Sequence, residues 1–235
     1  MENDIFKDSL LATVSHDFRN PLSAVMGLLE TSLELSEINA IKKQMKKSLR
    51  LFKLLEMLVN DLMDYVQFAN KKLKMNLENC EIDPILDEIK NLMNIQAKKK
   101  KIVFLIENYW TGEVFTDPNR LKQVLVNLIG NAIKFTSKGH VKLICKPQTS
   151  QLLEISVEDT GIGIKEAKIH TLFEQFGKLD QEDTTLNKRG VGLGLYISQE
   201  IAKQLNPTGN ISGIRVISEY GKGSTFSFSI PAAKR

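Results

Sequence analysis

Leu11, Val14, Phe18, Leu22, Val25, Leu29 and Leu33 recur at steps of three and four. That period is helical; a strand alternates its faces every second residue. A second run follows: Ile41, Met45, Leu49, Phe52, Leu55, Val59, Leu62 and Val66 keep the same steps, and Leu51, Leu54 and Leu58 add another stripe. A helix with two apolar stripes needs more than one partner, as in a bundle. The link around residues 36–40 is short, so the helices are expected to be antiparallel neighbours. One hairpin cannot bury all these faces. Two hairpins in a dimeric four-helix bundle can.

Within the first run stands SHDFRNPLSAVMG, residues 15–27. His16 lies two residues from both Val14 and Phe18, roughly 200° around the helix from the apolar seam. Asn20 shares its face one turn on, and Asp17 is its neighbour. Pro21 follows, at a cost of roughly 3 kcal/mol for a helix interior, and bends the axis. A solvated helix face with a tolerated proline accounts for an isolated His-Asp pair. Imidazole, carboxylate and carboxamide together are also a candidate reaction centre.

The apolar fraction of 42% and charged fraction of 26% are those of a soluble globular protein. A net charge of +4 does not call for nucleic acid, and no aromatics interleave with the basic residues. The basic run at residues 98–101 reads as a solvated helix end. Cys80 and Cys145 form neither a metal spacing nor a disulfide framework. No apolar stretch approaches the roughly 18 residues of a membrane span, and no signal peptide is visible. The chain starts inside helical periodicity, as expected of a piece of a longer protein.

Residues 70–79 are polar and lysine-rich, a linker into a strand; beyond them α and β patterns mix. Asp83-Pro84 and Asp117-Pro118 each open a helix, Asp as N-cap and Pro in the first turn. Strands are expected at residues 102–106, 141–145 and 152–158, a helix within 192–205, and a closing strand pair at 214–218 and 225–230. The expected fold is an α-helical hairpin followed by an α+β domain, a sandwich with a mixed sheet on one side and helices on the other.

Three stretches of that second part carry chemistry. LKQVLVNLIGNAIKFT has an apolar face (Leu121, Leu125, Leu128, Ala132, Phe135) and a stripe of Gln123, Asn127, Asn131 and Lys134. Amide oxygens suit hard cations and an ammonium suits phosphate, although such stripes are usually just solvated. In LLEISVEDTGIG a strand puts Leu153, Ile155, Val157 and Asp159 on one side. A carboxylate ending an apolar row is costly without donors. Its donors are either local backbone amides or a ligand amino group such as that of adenine. Gly161 and Gly163 would let a flat ligand come close. RGVGLGLYIS places Gly190, Gly192 and Gly194 before a helix, an arrangement suited to anions. Neither the dinucleotide GxGxxG nor the P-loop pattern is satisfied. Residues 173–189 read as a lid or a plain surface loop. His140 and His170 read as surface residues.

Taken in order, these stretches resemble the catalytic core of a two-component sensor histidine kinase. SHDFRNPL resembles the phosphoacceptor box and LKQVLVNLIGNAIKFT the asparagine box. EDTGIGI and RGVGLGLYIS resemble the two glycine boxes, LFEQFGKLD the phenylalanine box, and GKGSTFSFSIP the final strand pair. The resemblance covers nearly the whole chain. It implies a dimerisation and phosphoacceptor hairpin at residues 1–72 and a Bergerat-type ATP-binding domain at 73–235.

It further implies that His16 takes the γ-phosphoryl group of ATP, helped by Asp17, and that the group passes to an aspartate of a response-regulator receiver domain. Asn20 matches the position that orients water for dephosphorylating that regulator. Pro21 would loosen the helix beside the histidine. Asn131 would ligate Mg²⁺, supported by Asn127. Lys134 and Arg189 would meet the phosphates. Asp159 would take the adenine amino group with Thr225 beside it, and Phe135 would stack near the base. Gly161, Gly163, Gly190, Gly192, Gly194 and Leu195 would complete the nucleotide site. Asp at position 17 is shorter than the more frequent Glu. The implied partners are a second copy of the chain and a receiver domain, with no nucleic acid and no membrane contact by this segment. The segment is expected in the cytoplasm, whether or not its parent is membrane-anchored. The rival reading is a degenerate ATP-binding signalling module without kinase activity.

Overall fold

The computed structural model describes residues 2–33, 37–70, 73–174, 193–206 and 213–233. These fall into two compact units, one holding the two long helices and one holding every strand.

In the first unit, α1 (Glu2–Leu33) and α2 (Ile38–Ala69) lie alongside each other. Pro21 sits inside α1, which continues through it. Helix α2 starts earlier than the sequence implied. Glu37 is extended, and its carbonyl accepts the Ile41 amide at 3.0 Å, so residues 38–40 are already helical rather than loop. The apolar stripes are largely uncovered: Val25 is buried, but Leu22, Leu29 and Leu33 on α1 and Met45, Leu49 and Phe52 on α2 are exposed.

The second unit is built on a mixed five-stranded sheet, in the order β2-β4-β5-β7-β6. Its strands are β2 (Val103–Asn108), β4 (His140–Thr149), β5 (Leu152–Asp159), β6 (Arg215–Glu219) and β7 (Gly223–Pro231). β2 and β4 are parallel, and the other neighbours are antiparallel. Helices α3 (Asp83–Lys100), α4 (Pro118–Phe135) and α6 (Gly194–Leu205) supply the other layer. The core lies between them: Leu143, Leu153, Ile155, Val157 and Phe228 from the sheet, with Met93, Leu121, Leu125, Leu128, Ile129 and Ile201 from the helices, are all buried.

The strand expected after the linker is β1 (Glu78–Glu81), which starts two residues early, so Glu78 and Asn79 belong to it rather than to the linker; it pairs antiparallel with β3 (Glu113–Thr116), a short strand that was not expected. A short helix, α5 (Glu166–Ile169), was also not expected.

The two Asp-Pro pairs behave differently. Asp117 caps α4 by accepting from the Asn119 and Arg120 amides at 3.0 and 3.1 Å, a device typically worth about 1 kcal/mol. Asp83 is instead the first residue of α3, after Ile82 as N-cap, and its Oδ1 accepts from Asn108 Nδ2 at 2.7 Å. His170 is exposed as expected, whereas His140 is half-buried where β4 begins, its amide donating to Thr160 Oγ1 at 3.0 Å.

Candidate nucleotide site

The apolar row of β5 ends as its alternation requires. Leu153, Ile155 and Val157 are fully buried, and Asp159 on the same side is only 7% exposed. Its Oδ1 accepts the Gly161 amide at 2.8 Å, and the Ser224 amide also donates to the carboxylate. Local backbone donors therefore do hold this group, as one of the two readings had it. They do not fully offset its burial, which is the largest influence and keeps the carboxyl above the usual carboxylate range. A partly compensated carboxylate at the end of a core strand is a strong acceptor for a further N–H donor.

The register corrects one expectation. In the antiparallel pair β5–β7, Asp159 faces Ser224, while Thr225 faces Glu158. Directly paired residues share a face of the sheet and the next pair points the other way. Ser224 is therefore beside Asp159, and Thr225 lies on the opposite face with Glu158 and Ile217. Sequence reasoning missed Ser224, although counting back from the buried Phe228 and Phe226 by twos reaches it. Ser218 joins it: its Oγ lies 2.9 Å from Ser224 Oγ and accepts the Ile164 amide at 2.8 Å.

Gly161 is needed at close quarters. A Cβ there would stand 2.6 Å from the Phe135 carbonyl oxygen and 2.7 Å from Asp159 Oδ1. This glycine therefore brings the end of α4 against the loop after β5. Gly163 has a different reason from the one expected. Its φ of +66° and the nearness of the Glu219 carbonyl demand glycine for the fold itself, without reference to a ligand.

The amide stripe of α4 divides by partner. Gln123 Oε1 accepts from Arg120 Nη1 at 2.7 Å along the same helix. Asn127 joins α4 to α6: its Nδ2 donates to the buried Ser198 Oγ at 2.7 Å. A Cβ at Gly194, the first residue of α6, would stand 2.7 Å from Asn127 Oδ1. Asn127 thus holds the start of α6 in place, with half-buried Leu195 next along. Asn131 makes only a long 3.5 Å approach from its Nδ2 to Asn127 Oδ1. Its Oδ1 has no donor among the described residues. Lys134 Nζ stands 4.8 Å from the centre of the Phe135 ring, and both residues are half-buried.

Among the described residues no group of three or more His, Cys, Asp or Glu could hold a metal ion. A divalent ion here would rest on an amide oxygen, with water and substrate oxygens supplying the rest. That is the usual economy of Mg²⁺, and Asn131 Oδ1, without a donor among the described residues, fits it. Arg189, Gly190, Gly192 and residues 175–189 of the expected lid lie outside the described residues. His16 and Asp17 lie within α1, and their side chains also lie outside the description. Asn20, one turn on, is exposed.

Residues 116–234 match the family model described as histidine kinase-, DNA gyrase B-, and HSP90-like ATPase. Residues 6–70 match the His Kinase A (phospho-acceptor) domain. The aerobic respiration control sensor protein ArcB of Escherichia coli is 31% identical over 96% of this chain, which spans 29% of ArcB. The autoinducer 2 sensor kinase/phosphatase LuxQ of Vibrio parahaemolyticus is 29% identical over 96% of the chain, which spans 26% of LuxQ. Among solved structures, full-length ShkA in complex with AMPPNP superposes with a TM-score of 0.71 at 28% identity, covering 97% of this chain and 46% of ShkA. The chain belongs to the histidine kinases: it is the catalytic core of a two-component kinase, with a phosphoacceptor domain followed by an ATP-binding domain.

Proposed function

We propose that this chain binds ATP at the site formed by Asp159, Ser224, Gly161 and the last turns of α4, and catalyses autophosphorylation at His16, within one subunit or between the two of a dimer. The observation that carries the reading is the buried Asp159 carboxylate, whose only described donors are two backbone amides. It accepts the exocyclic amino group of adenine, with the Ser224 hydroxyl at its side. Phe135 stacks by the base. Lys134 and Arg189 neutralise phosphate charge, while Gly190, Gly192, Gly194 and Leu195 bring backbone amides to it. Asn131 Oδ1 holds Mg²⁺, which when bound neutralises charge on the transferring phosphoryl group.

At His16 a neutral imidazole nitrogen attacks the γ-phosphorus, and the bond to the bridging oxygen breaks with its electrons leaving on ADP. Asp17 fixes the tautomer and takes the proton released from the ring. The phosphoryl group then passes to an aspartate of a response-regulator receiver domain, completing a phosphorelay step. Asn20, exposed on α1, orients water for the reverse dephosphorylation; the kinase/phosphatase name of LuxQ supports that second activity.

The exposed apolar residues of α1 and α2 support a homodimer through a four-helix bundle, which would remove them from water. We divide the chain into a dimerisation and phosphoacceptor hairpin, 1–72, and a catalytic domain, 73–235. No described helix is long and apolar enough to cross a membrane, and we place this segment in the cytoplasm.

Incubation with γ-labelled ATP and Mg²⁺ tests the reading. Label on the protein that survives alkali and is lost in acid supports it, because a histidine N–P bond hydrolyses in acid and a serine ester does not. AMPPNP binding without any label would favour the degenerate module.

A further inference from the structure

The last two turns of α4 carry Asn131, Lys134 and Phe135, and every carbonyl near its end has an identifiable partner. Ala132 O accepts from the Thr136 amide at 3.0 Å and the Thr136 hydroxyl at 2.8 Å. Phe135 O accepts the Ile162 amide at 3.4 Å, from the loop that follows Asp159. The rest converge on one ammonium. Lys100 Nζ, at the end of α3, donates to Ile133 O at 2.8 Å, Lys134 O at 2.7 Å and Thr136 O at 3.0 Å. An ammonium has three donors, and here all three are used. It also sits at the negative end of the helix dipole.

The side chain reaches this place because of helix phase. Met93 and Ala97 are buried on the inner face of α3, and Lys100 is the next position of that stripe. Its neighbours Lys98 and Lys99 are exposed. The expectation of a wholly solvated basic run therefore fails at this residue.

We infer that Lys100 is a positioning residue for the nucleotide. By gripping three carbonyls it ties the end of α4, and with it Asn131, Lys134 and Phe135, to the end of α3, while the Ile162 amide holds Phe135 O to the loop that follows Asp159. This rests on the proposed ATP site. Lys100 touches no substrate; it acts through α4. Lys134 also projects from this turn, so the two ammonium groups have separate tasks, one toward backbone and one toward phosphate. Apolar replacement would strand three carbonyls and let the turn fray.

The test uses Lys100→Met, Lys100→Arg and, as a control from the same run, Lys99→Met. AMPPNP affinity, the KM for ATP, kcat and the melting temperature are read on each, well below melting. The account expects Lys100→Met to raise the AMPPNP Kd and the KM for ATP about tenfold, equivalent to about 1.4 kcal/mol. The turnover number should change less than the KM, Lys100→Arg should recover most of the affinity, and Lys99→Met should match the parent. If Lys100→Met does not fold, Lys100→Gln replaces it. A folded variant with a lowered melting temperature and unchanged Kd and KM would make Lys100 a mere helix cap and overturn the inference. Failure of the parent chain to bind AMPPNP would instead overturn the ATP site itself.

Discussion

Asp159 Oδ1 accepts the amide of Gly161 at 2.8 Å, two residues further on, so the carboxylate ends a core strand and starts the loop beyond it. Burial raises the carboxyl of Asp159 above its ordinary value. The folded state thus binds that proton more tightly than the unfolded chain, and stability falls as pH rises from the ordinary carboxylate range through the raised one. Once ionised, the buried group is a standing cost. Asp159→Asn keeps an acceptor for Gly161 and removes the buried charge. It should melt no lower than the parent at neutral pH while weakening AMPPNP binding by about 10- to 100-fold, the loss expected for a hydrogen bond to a charged group. Calorimetric melting beside a nucleotide titration checks both halves. Unchanged affinity would remove Asp159 from the site.

The pairing of Asp159 with Ser224 gives a second contrast. Ser224→Val keeps a strand-forming residue but removes the hydroxyl beside the carboxylate. It should weaken AMPPNP binding by about tenfold, in line with a lost hydrogen bond. Thr225→Val, on the far face of the sheet, should leave affinity within about twofold of the parent. The reverse pattern in a binding titration would mean that the strand register is wrong.

Burial, with a smaller push from Asp83, raises the Cys145 thiol from 9.0 to about 12. Between those values the folded chain keeps a proton that the unfolded chain has released. The contribution of this group is therefore complete below about pH 9 and is lost as pH rises toward about 12, at up to about 1.4 kcal/mol per pH unit. Urea unfolding between pH 7.5 and 10.5 should show the parent losing stability faster than Cys145→Ala. Parallel curves would contradict the burial of the thiol.

The helical hairpin and the alternating core strand were legible because their periods are long and their apolar residues unambiguous. Leu153, Ile155 and Val157 led directly to Asp159. A four-residue element such as β3 carries too few alternations to register, and its pairing partner, β1, lies far along the chain. Asp83-Pro84 and Asp117-Pro118 give the same local signal; a distant partner, Asn108, draws the Asp83 carboxylate away from capping. Asn127 was expected to support Asn131, and nothing local showed that its amide also reaches Ser198 on another helix. Two other features were within reach of the sequence: the parity of Phe226 and Phe228 points to Ser224, and the spacing of Met93, Ala97 and Lys100 sets that lysine apart from its neighbours.

Autophosphorylation at His16 is the most direct test. The purified chain and a His16→Gln variant are incubated side by side with γ-labelled ATP and Mg²⁺, after AMPPNP titration has established that both bind nucleotide. The account predicts acid-labile, alkali-stable label on the parent and none on the variant, with equal nucleotide affinity. Equal labelling of both, or label that survives acid, would place the phosphoryl group on another residue and contradict the account.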